Sequence, residues 1–261
     1  MNSFHFIRLV ILKVACALAA FMLLVSAVLA APVLTVAAAA DLATCIDELN
    51  AGFARSVGGA KVRASIGSSG NFFAQIKNGA PFDVFLSADT FYPLELAKAG
   101  LADAATMTVY AHGQLVMWTR DPALALDAGF RILADPRVRH IAIANPDVAP
   151  YGRAAKAALE KAGMWQAIRH KLVFGENVAQ TAQFVETGNA QVGFIGIAHV
   201  RPGGHVWRLP ADVYPLIEQG AIVTIRGRAN PAAFNYIKFL RSEAGRAILK
   251  KHGFALPQVR G

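Results

Sequence analysis

Short apolar runs alternate along the chain with stretches in which apolar residues recur every three or four positions. The first pattern predicts buried strands and the second predicts amphipathic helices. Strands are expected at 34–38, 62–66, 83–86, 140–144, 172–174, 191–195 and 221–225, with an extended apolar run at 114–118. Helices are expected at 42–53, 71–77, 92–99, 153–162 and 179–187, and two more close the chain. Repeated strand-then-helix order implies an α/β fold with mostly parallel sheets flanked by helices.

The first thirty residues break this pattern. Arg8 and Lys13 are their only charged groups, an apolar run follows from Val14 to Ala30, and Ala31-Pro32 comes next. A basic start, an apolar middle and a small-residue exit describe a secretory signal peptide over 1–30. About 17 apolar residues is at the short limit for a membrane span. Setting Arg8 and Lys13 aside lowers the net charge from +9 to +7. No run of Lys or Arg interleaves with aromatics, so nucleic acid is a poor partner. Cys45 is the one cysteine beyond the leader, which excludes an internal disulfide and thiolate metal clusters. Its place in an amphipathic stretch makes it a small core residue.

Four segments share one plan, in which a strand ends, small or polar residues follow, and a helix begins. They are Ala37-Ala38-Ala39-Ala40-Asp41-Leu42, Ile66-Gly67-Ser68-Ser69-Gly70-Asn71, Asn145 to Gly152 through Pro150-Tyr151, and Phe174-Gly175-Glu176-Asn177-Val178. Ligands of open α/β sheets bind beyond the carboxyl ends of the strands. Helix N-termini there carry free N–H groups and partial positive charge, so several converging on one cleft hold an anion without Lys or Arg. Each segment alone also reads as an ordinary turn, with a serine or Asn177 as N-cap.

Enzyme motifs are missing. Asn71 stands where G-x-S-x-G needs its second glycine, no H-x-x-x-H pair occurs, and neither glycine-rich nucleotide loop is present. A binding protein, not an enzyme, is expected.

Taken together, the segments resemble the periplasmic molybdate-binding proteins of ABC transporters, over 34–254. The resemblance is carried by Ala38-Ala39-Ala40, Ser68-Ser69, the ordered stretch Asn78-Gly79-Ala80-Pro81-Phe82-Asp83-Val84-Phe85-Leu86-Ser87-Ala88-Asp89, Pro150-Tyr151-Gly152, Glu176-Asn177-Val178 and Tyr236-Ile237-Lys238-Phe239-Leu240. It implies the two-lobed periplasmic binding protein fold with a hinge. Lobe I would comprise 31–112 plus 209–261, and lobe II would be inserted at 113–208. It also implies a monomer in the periplasm, a molybdate or tungstate ligand, no cofactor, and an ABC transporter permease as partner. The alternative is a phosphate-like oxyanion or an organic acid as ligand, or a sensory role.

Residue by residue, the implied oxyanion contacts are the Ser69 hydroxyl and amide with Ser68 beside it, the Tyr151 amide, the Val178 amide, and the turn at Ala40 and Asp41. No residue is expected as a direct ligand of a metal cation, the oxyanion being bound by Ser69, Tyr151 and Val178. Two positions depart from the pattern: Asp41 stands where many members have serine, and Gly196 where many have tyrosine. A carboxylate facing a dianion costs several kcal/mol unless compensated. Asp41 could cap the first helix by accepting the amides of residues 43 and 44, accept a bond from a protonated ligand oxygen, or approach the metal centre. At Gly196, a water or the Tyr151 ring could fill the space.

Overall fold

The computed structural model describes residues 33–258, so the leader expected over 1–30 lies outside them. The described residues form two five-stranded sheets of the same plan. The first contains β1 (Leu34–Ala39), β2 (Val62–Gly67), β3 (Val84–Ser87), β4 (Thr108–Gly113) and β10 (Ile217–Val223), in the order β2-β1-β3-β10-β4. The second contains β5 (Leu115–Thr119), β6 (Ile141–Ala144), β7 (Leu172–Gly175), β8 (Val192–Gly196) and β9 (His205–Arg208), in the order β7-β6-β8-β5-β9. The chain passes from one sheet to the other at Gln114 and returns between β9 and β10.

The pairings are mixed. The β1–β2 and β1–β3 pairs of the first sheet are parallel, and so are β6–β7 and β6–β8 of the second. The other pairings in each sheet are antiparallel. The parallel half is the part the strand-then-helix order predicts, since a parallel neighbour needs a crossover helix. Those helices are α1 (Ile46–Ser56), α2 (Ser69–Lys77), α4 (Pro150–Lys161), α5 (Trp165–Ile168) and α6 (Val178–Glu186), while α3 (Phe91–Lys98) lies between β3 and β4. Helices α7 (Pro231–Arg241) and α8 (Glu243–Lys251) close the chain.

Central strands are buried on both faces, which is why they read as unbroken apolar runs. Every residue of β3, β5, β6 and β8 is buried. Strands β4 and β9 lie at sheet edges and lack that signature.

The first sheet's core joins both ends of the chain. Phe53 on α1 packs edge-on against Tyr236 and Phe239 of α7, with centroids 5.0 and 5.9 Å apart. The Tyr236 hydroxyl donates to Asn50 Oδ1 at 2.7 Å. Buried Asp83 adds a polar clasp: its carboxylate accepts from the Thr35 amide at 2.9 Å, from Arg226 at 2.7 Å and from Asn230 at 3.2 Å. Cys45 is buried in the same core.

Phe53 is fully buried, so Phe53→Ala removes both aromatic contacts and leaves a cavity. A loss of about 3–5 kcal/mol is expected. Urea unfolding checks this, with a lower midpoint at an unchanged slope.

Candidate functional site

The four strand-to-helix turns meet at one cavity between the carboxyl ends of the two sheets. It is lined by Ala39, Ala40 and Asp41; by Gly67, Ser68, Ser69 and Ala88; and by Ala149, Pro150, Tyr151, Asn177 and Val178. All six residues picked from the sequence, Ala40, Asp41, Ser68, Ser69, Tyr151 and Val178, are therefore brought together. The cavity's free volume is about 10 Å³, roughly the room of one water, so the walls are closed tightly on one another. Its lining includes no Lys, Arg or His. A larger surface hollow beside Thr108, Lys238 and Arg246 receives none of the four turns.

Each turn presents donors. Ser69 and Val178 begin α2 and α6, and Tyr151 is the second residue of α4. Amides in a helix's first turn have no acceptor within the helix. Pro150 at the start of α4 contributes no N–H, so the first free amide there is that of Tyr151.

The two serines divide the work. The Ser68 side chain caps α2 by accepting from the Asn71 amide at 3.4 Å. The Ser69 hydroxyl accepts from the Ala88 amide at 3.0 Å. Because that lone pair is taken, the hydroxyl proton is free to donate elsewhere, and the cavity adjoins it. Asn177 caps α6 in earnest, its Oδ1 accepting from Ala179 and Gln180, both at 3.0 Å. The Ala88 amide was not foreseen from the sequence, although it lies within the ordered stretch 78–89.

Asp41 does not cap a helix. Its turn, Ala40–Thr44, is 3-10, and α1 begins only at Ile46. The residue capping that turn is Ala39, and no side chain caps it. The expected bonds from residues 43 and 44 are absent, because those amides belong to the 3-10 turn and not to a first α-helical turn. Asp41 is instead fully buried on the cavity wall, and neither carboxyl oxygen has a hydrogen-bond partner among the described residues. The Tyr151 hydroxyl and the Gln219 amide face it without meeting hydrogen-bond geometry. Burial pushes its pKa up to about 7, and these neighbours, with the amides of Asp41 and Leu42, offset only part of that.

Tyr151 occupies the space left at Gly196. A Cβ at Gly196 would lie 3.1–3.3 Å from the Tyr151 ring and hydroxyl. A Cβ at Gly113 would lie 2.3 Å from that hydroxyl and 2.8 Å from Gln219 Nε2. The Gln219 Oε1 in turn accepts from Tyr110 at 3.3 Å. A buried polar cluster of Asp41, Tyr110, Tyr151 and Gln219 thus lies at the cavity and the strands that cross between sheets.

The two sides are joined around the cavity. The Gly70 amide donates to the Val148 carbonyl at 2.8 Å, and Tyr92 donates to the Asp147 carbonyl at 3.3 Å. Arg153 pairs with Asp89 and donates to the Tyr92 hydroxyl at 3.2 Å. Asn71 donates to Glu176 at 2.8 Å. Burial lowers the His199 pKa to about 4, so its neutral ring donates Nε2–H to the Ala40 carbonyl at 3.0 Å.

A pair of matched α/β sheets, with a donor-lined cavity between their strand ends, defines the class of two-lobed binding proteins. The chain belongs to the bacterial extracellular solute-binding protein family, whose model matches residues 34–255. It is 39 % identical over 226 residues to the molybdate-binding protein ModA of Azotobacter vinelandii, covering 85 % of this chain and 89 % of that one. It is 38 % identical over 220 residues to ModA of Rhodobacter capsulatus, covering 84 % and 86 %. The solved Azotobacter vinelandii periplasmic molybdate-binding protein matches with a TM-score of 0.82 at 34 % identity, covering 86 % of this chain and all of that one.

Gly70 marks how close the two sides come, since a Cβ there would lie 2.9 Å from the Val148 backbone and 2.7 Å from the Tyr92 hydroxyl. Gly70→Val is expected to fold but to hold the sheets apart. Small-angle scattering checks this, as a larger radius of gyration than the parent under conditions that close the parent.

Proposed function

We propose that this chain is an exported, periplasmic solute-binding protein that captures molybdate, or the similar tungstate, in the cleft and delivers it to an ABC transporter permease. It acts as a monomer, needs no cofactor and catalyses no reaction. Lobe I is 31–112 with 209–261, and lobe II is 113–208. The observation that carries the reading is the convergence of first-turn amides and the Ser69 hydroxyl on one small cavity whose lining holds no cation. Donors of this kind suit a dianion that has no proton of its own to give. The names of the relatives at 38–39 % identity choose molybdate among such anions.

The contacts in this reading are the Ser69 hydroxyl and amide, the Tyr151 and Val178 amides, and the turn at Ala40. Ser68 supports them as the cap of α2. Open lobes admit the anion, donors replace its water shell, and contacts from both sides favour the closed form, since a ligand shifts populations by its differential affinity. The closed form then docks on the permease.

A second reading is favoured by one observation, the pair of unpartnered oxygens on Asp41. They would accept a bond from a protonated oxyanion such as hydrogen phosphate.

Calorimetric titration with molybdate, tungstate, sulfate and phosphate separates the two readings. Tight binding of only the first two is expected, and preferential phosphate binding would replace molybdate by the second reading. Ser69→Ala removes one donor to a charged ligand. It should weaken molybdate binding by about 1.5–3 kcal/mol, roughly ten- to a hundredfold in Kd, in a protein that still folds but melts somewhat lower, because the Ala88 amide loses its acceptor.

A further inference from the structure

We infer that Asp41 takes up a proton as the lobes close on the anion, so that it meets the anion as a neutral carboxylic acid and one proton is captured with each anion. The inference rests on the oxyanion reading above and adds a role for the residue that departs most from the family pattern.

The geometry carries it. Asp41 is fully buried on the cavity wall, and both its oxygens lack a partner among the described residues. A carboxylate placed there would need a counter-charge, and every group facing it is neutral. From β4 comes the Tyr110 hydroxyl and from α4 the Tyr151 hydroxyl, both held protonated by burial, with the Asp41 charge adding to the effect. Strand β10 supplies the uncharged Gln219 amide. At the start of α1, burial pushes the Cys45 thiol far up, so it too stays protonated. The turn Ile197–His199 contributes His199, which is neutral and already committed to the Ala40 carbonyl. No Lys or Arg lines the cavity.

An ionised Asp41 beside a dianion would therefore set like charges together in a dry site, the arrangement that most strongly favours protonation. A carboxylic acid there has one O–H to donate, as a serine hydroxyl would, and its other oxygen can face the Tyr151 hydroxyl or the Gln219 amide. The proton thus turns the one carboxylate in the cavity lining into a donor.

The second sheet's side closes the cavity that Asp41 lines, through Ala149, Pro150, Tyr151 and Val178, and Tyr151 sets its hydroxyl beside the carboxyl. Opening the lobes withdraws that side, and water then returns the carboxyl towards its ordinary value near 4. The closed-form value is about 7 from burial alone, and the anion raises it further. A group whose pKa is higher in the bound state supports binding fully below its free-state value and loses that support as pH rises to the bound-state value. Molybdate affinity should therefore fall about tenfold per pH unit between roughly pH 5.5 and 7.5.

The test is calorimetry of the mature chain with sodium molybdate, in buffers of different ionisation enthalpy near pH 6.5. About one proton taken up per molybdate is expected. In Asp41→Asn, whose amide donates without a proton, uptake should vanish, affinity should become flat with pH, and binding near pH 7.5 should be at least as tight as in the parent. The infrared difference spectrum on adding molybdate should gain a protonated-carboxyl band that Asp41→Asn lacks. Should that variant fail to fold, Asp41→Ser serves in the same comparison. Tight molybdate binding by the parent with no proton uptake would overturn the inference and leave the transport reading intact. Uptake that persists in the folded variant would overturn it as well. Absence of molybdate binding by the parent would instead defeat the reading on which it rests.

Discussion

A small cavity walled by short side chains and first-turn amides, with no cation in its lining, is the constraint on which the rest of the architecture depends. Charge held there can be met only by N–H and O–H donors. Helix starts supply such donors cheaply, because their first amides are unpaired in any helix. They must arrive from several directions, and one sheet offers its strand ends on one side only. Two sheets of the same plan, facing each other at their carboxyl ends, bring in four turns. The crossings at Gln114 and between β9 and β10 are the connections that allow a single chain to build both.

The stretch 79–89 shows how much of one motif is consumed in serving this arrangement. Asp83 ties β1 to the C-terminal segment through Thr35, Arg226 and Asn230. Ala88 turns the Ser69 hydroxyl by donating to it. Asp89 reaches across to Arg153 on α4. These residues hold the first sheet together, aim a donor and fasten the second sheet to it, which explains why the stretch is ordered so tightly in the sequence.

Much of this was readable because the signals were local. Val84 to Ser87 or Ile141 to Ala144 are buried on both faces, and an unbroken apolar run is what such strands must look like. Ser68 and Asn177 announced α2 and α6 because capping chemistry depends only on the next few amides. The misses were positions where distant contacts decide. Strand β9 is mostly exposed at a sheet edge, and β4 carries His112 and Gly113 because it also serves the crossing. Asp41 looked like a cap because an aspartate precedes an amphipathic run. The helix starts at Ile46, a full turn later, and a 3-10 segment occupies the residues between. The Ala88–Ser69 bond joins residues nineteen apart through the tertiary fold, and no local pattern contains it.

The Tyr151 ring has a consequence for how this site can change over generations. It lies against Gly196 and Gly113, and each would bring a Cβ into or near its atoms. A side chain placed at 196 while 151 keeps its ring would press on that ring, and shrinking 151 alone would leave a hollow under the cavity. The two positions are therefore coupled: room for a side chain at 196 is room taken from the ring at 151, so a change at either one alters what the other can accommodate.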